Sequence, residues 1–163
     1  MNRLDELALK MAEYDAGDPG RIQHFLKVHA FARLIGVKEN IPAHELYILE
    51  AAALTHDIGI RKAEELYGRC DGPLQEQLGP NEAKEMMTPL GFENDVIERV
   101  CHLIAHHHTY DNIDGIDYQI LVEADFLVNL YEGNSGKDAI RATYEKIFRT
   151  EAGKELCRVM FDL

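Results

Sequence analysis

The chain is short of cysteine, of basic charge and of long apolar runs. Cys70, Cys101 and Cys157 are odd in number and too far apart for a CxxC pair, which excludes a secreted disulfide framework and fits a reducing cytoplasm. Seventeen basic residues stand against 29 acidic ones, a formal net charge of −12. A field of that sign repels phosphate backbones and anionic lipid surfaces, so neither nucleic acid nor a membrane is expected as the main partner. Glu50, Glu123 and Asp125 interrupt the most apolar stretches before they reach the ~18 residues of a membrane-spanning helix. The N-terminal MNRLDELALKMAEYDAG alternates charge with apolar residues and lacks the h-region of a signal peptide. Alternating β-branched runs, internal repeats and low-complexity segments are missing too, so neither a sheet nor a repeat architecture is expected.

What remains is an ordinary globular composition. The 163 residues are 46% apolar and 28% charged, enough for one domain with a buried core, expected over residues 1–163. Apolar residues recur with a helical period almost throughout, which predicts an all-α, compact multi-helix bundle. The spacing predicts helices over Leu4–Tyr14, Arg21–Ile35, Pro42–His56, Glu82–Leu90, Glu93–His108, Asp117–Tyr131, Lys137–Phe148 and Glu151–Phe161. Asp18 and Pro19 read as the N-cap and first-turn proline of the second helix, and Gly59 as a helix end. Gly68, Gly72, Pro73, Gly79 and Pro80 predict a surface loop over Tyr67–Pro80 that could serve as a lid.

Eight histidines in so acidic a chain are the feature to explain. On a wheel of Glu93–His108, His107 continues the apolar side of Val100 and Leu103, and His108 sits at its edge, while His102 and His106 lie opposite and are expected to meet solvent. On the second helix His24 and His29 both flank the buried side, and periodicity does not choose between them. His56 and Asp57 close an alanine-rich, buried-looking helix. Asp125 interrupts the apolar LVEADFLVNL. Buried carboxylates need a partner, and with histidines at hand a metal ion is a better expectation here than an arginine. Imidazole with carboxylate suits Fe, Mn, Ni, Zn or Co and is too nitrogen-rich for calcium.

Three segments, RIQHFLKV, AALTHDIG and LVEADFLV, together resemble the HD-domain metal-dependent phosphohydrolase superfamily, whose ordered signature is His, His-Asp, Asp. The resemblance spans Arg21–Tyr131 and implies an HD-domain bundle with the helices of residues 137–161 packed on it. It implies His24, His56, Asp57 and Asp125 as metal ligands and so selects His24 over His29. His107 and His108 resemble the paired histidines of dinuclear members, where they would contact a second metal or the phosphate. No histidine lies between His56 and His102 to complete such a site, leaving Glu76, Glu82 or water to replace it. Neither HD-x-x-ED nor a GYP segment is present, so the guanosine-tetraphosphate hydrolase and cyclic-di-GMP phosphodiesterase branches do not fit.

The chemistry implied is attack of a metal-bound hydroxide on a small phosphoester, a nucleotide among the candidates, with one or two ions of Fe, Mn, Ni, Co, Zn or Mg. Asp57 would orient the nucleophile, and Arg21, with Arg61 or Lys62, would supply counter-charge to the phosphate. The resemblance also implies an alternative, a di-iron oxygenase on this scaffold, and a third expectation is a ligand-binding or regulatory protein with a structural metal.

Overall fold

Apolar residues spaced 3.6 apart leave water by packing against the same stripe on another helix. In the computed structural model, which describes residues 1–163, they form nine helices and no strand: α1 (Arg3–Tyr14), α2 (Pro19–Lys38), α3 (Ala43–Thr55), α4 (Gly59–Tyr67), α5 (Gly72–Met87), α6 (Asn94–His106), α7 (Ile116–Glu132), α8 (Lys137–Ile147) and α9 (Glu151–Phe161). None is long and apolar enough to cross a membrane. The bundle is built around α3, against which α1, α2, α6 and α7 pack. From Ile48 to Thr55 only Glu50 escapes full burial. Ala51, Ala52 and Ala53 keep this helix thin, so four neighbours approach it closely, and its C-terminal end is delivered to the middle of the molecule.

The start of α2 follows its sequence signals: the Asp18 side chain accepts from Arg21 N at 3.0 Å, with Pro19 in the first turn. The loop expected over Tyr67–Pro80 is instead mostly helical. Only Gly68–Asp71 separates α4 from α5. Asp71 caps α5 by accepting from Leu74 N at 3.2 Å, and Pro73, one of the supposed breakers, lies in its first turn as a start signal. Gly79 serves packing: a Cβ there would come within 2.6 Å of Ile104 Cγ2, and one on Gly59 within 2.8 Å of the Gln75 carbonyl and 2.9 Å of Gly79 N. The absence of side chains at Gly59 and Gly79 lets α4 and α5 touch. Gly59 therefore opens α4 and does not end a helix, and a turn at His56–Ile58 separates it from α3.

The C-terminal pair is fastened by one buried carboxylate. Glu123 on α7 is fully buried, and its Oε1 accepts from Gln119 Nε2, Arg149 N and Thr150 N at 2.7, 2.6 and 2.9 Å. Its Oε2 accepts from the Thr150 hydroxyl at 2.5 Å, which in turn caps α9 by accepting from Gly153 N at 2.9 Å. Truncating this side chain strands two backbone N–H groups in the interior, so Glu123→Ala is predicted to cost about 2–4 kcal/mol of stability in urea denaturation.

Candidate metal centre

Three helices converge on one point. His24 comes from the first half of α2, His56 and Asp57 from the turn that ends α3, and Asp125 from the middle of α7. His24, His56 and Asp125 are buried, and Asp57 is 22% exposed, the opening to solvent. His24 Nε2 lies 3.2 Å from each of His56 Nε2, Asp57 Oδ2 and Asp125 Oδ1. His56 Nε2 lies 3.3 Å from Asp57 Oδ2 and 3.4 Å from Asp125 Oδ1. Ligands at ~2.0–2.2 Å from a transition metal sit roughly 2.8–3.6 Å from their neighbours, so these separations fit a shared ion.

The proton positions fit it as well. His56 Nδ1 donates to the Ala53 carbonyl and His107 Nδ1 to the Ile104 carbonyl, both at 2.8 Å, and His24 Nδ1 donates to Glu132 Oε2 at 2.9 Å. Each ring thus has Nδ1 tied to the protein and turns Nε2 inward, the nitrogen a metal can take once the proton on it is displaced. His107 Nε2 is buried with no hydrogen-bond partner. Asp57 Oδ1 is 3.4 Å from it, so the two Asp57 oxygens face different imidazoles. Asp57, His107 and His108 make a second group whose ligand atoms lie within 4.8 Å of one another.

Electrostatics give the reason for the clustering. Burial alone would lower the pKa of His24, but Asp125 and Asp57 outweigh it and push the group up to about 10. Burial also opposes the charged form of His56, and the same two carboxylates hold it well above its ordinary value. Burial would raise both aspartates, yet His56, His107 and His24 hold Asp57, and His24 and His56 hold Asp125, well below the usual carboxylate range. Two buried anions demand positive charge. Protons on the imidazoles supply it here, and a divalent cation supplies it without them.

Of the residues singled out in the sequence, His24, His56, Asp57, Asp125 and His107 meet in this space, and His108 borders it. His29 does not: its Nε2 lies 3.0 Å from Glu50 Oε1. His102 meets solvent and pairs there with Asp114 at 2.8 Å. The cations proposed for the phosphate are engaged with carboxylates: Arg21 with Glu64 and Asp18, Arg61 with Glu65, Lys62 with Glu82. Glu76 accepts from His108 N and Thr109 Oγ1, and Glu82 accepts from the Tyr14 hydroxyl.

Three residues escaped the sequence reading. Asn129 donates to Asp125 Oδ1 at 2.9 Å, a contact its i+4 spacing could have suggested. Glu132 holds His24 from a distant helix. Gln75, buried on α5, donates to the Cys70 carbonyl and therefore presents Oε1 to His108 Nε2 at 2.7 Å. The end of α6 that carries the histidine pair is itself pinned. Tyr118 donates its hydroxyl to the His106 carbonyl at 2.6 Å, and Arg99 grips Asp117 at 2.7 and 2.8 Å.

His56→Ala and Asp57→Ala are predicted to lose bound transition metal by elemental analysis, while His29→Ala keeps it. Glu132→Gln, which loosens the anchor of His24, should weaken metal affinity about 10–100-fold. The pH dependence has a definite sign. Without metal, the raised pKa of His24 contributes stability present in full below about 6.5 and lost as pH rises through about 10. An ion must displace that proton, so its apparent affinity should rise across the same window, read by metal titration at pH 6 and pH 9.

The match to known families comes from the same stretch of chain. The family model of the HD domain matches residues 21–151, a span that holds His24, His56, Asp57, His107, His108 and Asp125. No curated protein and no solved structure matches the chain. With the family model covering most of its length and an all-helical fold around a buried His and Asp cluster, the chain belongs to the HD-domain family, whose members include metal-dependent hydrolases.

Proposed function

We propose that this protein is a metal-dependent phosphohydrolase acting on a small phosphoester. The observation that carries the reading is the convergence of three imidazole Nε2 atoms, one of them buried and unpartnered, on two carboxylates beside an opening at Asp57. A divalent transition ion held by His24, His56, Asp57 and Asp125 would polarise a phosphoryl oxygen and lower the pKa of a coordinated water from 15.7 toward about 7.

The chain's own groups supply the rest. Asp57 Oδ2 faces His24 and His56, and Oδ1 faces His107 Nε2, so a water entering between Asp57 and His107 would donate to Oδ1 and have its oxygen aimed at phosphorus. His107, with its proton fixed on Nδ1, offers Nε2 to the same space as a proton acceptor or as a ligand to a second ion. Burial lowers the pKa of His108 and so favours its neutral form, and Gln75 Oε1 accepts from its Nε2. The second group of Asp57, His107 and His108 also favours one competing reading, a di-iron oxygenase.

Purified protein loaded in turn with Mn, Ni, Co, Zn and Mg is expected to release phosphate or alcohol from a panel of small phosphoesters. Asp57→Asn should lower kcat by about 10²-fold or more. Oxygen uptake by the iron-loaded protein with no ester cleavage would replace this reading with the oxygenase.

A further inference from the structure

The charges around the centre are unusual for a phosphate site. Arg21 lies one turn before His24 on α2 and Lys27 one turn after it; Arg61 and Lys62 open α4 directly behind Asp57. Each is taken up by the chain itself. Arg21 Nη2 is 2.5 Å from Glu64 and its Nε 3.3 Å from Asp18, Lys27 is 2.7 Å from Glu132, Arg61 is 3.2 Å from Glu65, and Lys62 is 3.9 Å from Glu82. Asp15, buried at the end of α1 among Arg21, Arg61 and Asp57, adds another carboxylate. Six carboxylates thus face four cations, and an ion of charge +2 is matched by Asp57 and Asp125 alone. A phosphate entering here meets no excess of positive charge.

We infer that the site selects singly charged phosphodiesters over doubly charged phosphomonoesters and polyphosphates. This rests on the hydrolase reading and names its substrate class. In such a reaction a water oxygen bonds to phosphorus and the bond from phosphorus to one ester oxygen breaks. That oxygen leaves as an alcohol with one proton of the water, and the other proton passes to solvent as the monoester product becomes a dianion. The product carries one more negative charge than the substrate, so the surrounding carboxylates repel it outward. The same field that weakens dianion binding clears the site after each turnover.

The test uses the full chain loaded with Mn²⁺ at pH 8 and two esters with one leaving group, bis(4-nitrophenyl) phosphate and 4-nitrophenyl phosphate. Comparisons are made within each ester, so intrinsic reactivity cancels. Added KCl screens the carboxylates, and kcat/KM for the monoester is expected to rise with salt while that for the diester stays nearly level. Glu64→Gln leaves Arg21 with Asp18 alone, and should raise monoester kcat/KM about two- to fivefold relative to the diester. The double variant Glu64→Gln with Arg21→Ala should lose that gain.

A monoester rate that falls with salt overturns the inference, as does cleavage of the monoester alone or a ratio unmoved by Glu64→Gln. If the metal-loaded protein cleaves neither ester, nor any in the wider panel, the hydrolase reading itself falls and takes this one with it.

Discussion

Two carboxylates, Asp57 and Asp125, sit against the imidazoles of His24 and His56 in the interior, and much of the structure follows from the need to give them positive charge. Neither would be stable there alone, since an unpaired buried carboxylate costs several kcal/mol and would take up a proton instead. The bundle meets that cost with three imidazoles whose outer nitrogens are tied to Ala53, Ile104 and Glu132. The ties hold the rings in place and decide which nitrogen faces the carboxylates. The thin, alanine-lined end of α3 is what lets α2, α6 and α7 bring those rings to one point.

Glu123 shows that burial of an acid does not by itself mark a site. It is as buried as any of these groups, yet its oxygens are answered by backbone N–H groups, an amide and a hydroxyl. Those donors are fixed and cannot be exchanged for a ligand. Asp57 and Asp125 are answered chiefly by imidazole nitrogens, which can give up a proton and coordinate a cation in its place. The difference between a structural carboxylate and one that could serve chemistry therefore lies in the kind of donor it faces, and sequence position does not reveal it. Both kinds occur on α7, at Glu123 and Asp125, two residues apart.

Periodicity made the helical class legible, and it placed His107 inside because that residue extends the stripe of Val100 and Leu103. It could not separate His24 from His29, since both flank the buried side of α2. The family resemblance chose His24, and the fold sends His29 to Glu50. Glycine and proline between Gly68 and Pro80 resemble breakers in the sequence, whereas in the fold Pro73 starts α5 and Gly79 lets it touch its neighbours. Misreading that segment as a loop hid Gln75. Contacts such as Gln75 to His108 and Glu132 to His24 join helices far apart in the chain, and no local pattern encodes them.

Gln75 also explains why the two halves of the centre differ. Its amide N–H₂ is committed to the Cys70 carbonyl, so only its oxygen can face His108, and that oxygen requires a proton on His108 Nε2. His24, His56 and His107 are tied at Nδ1 and turn Nε2 to the centre; His108 is tied at Nε2, so only its Nδ1 is left. A carboxylate in place of Gln75 would favour a charged imidazolium at His108, and a second imidazole would bring another nitrogen ligand. The neutral amide does neither. The half of the centre around His24, His56 and Asp125 is therefore rich in ligands and charge, while beside His108 the amide of Gln75 adds no charge to that of Asp57 and of Glu76, which accepts from His108 N. In a chain this acidic, a neutral amide at Gln75 in place of one more carboxylate limits the repulsion an incoming phosphate meets.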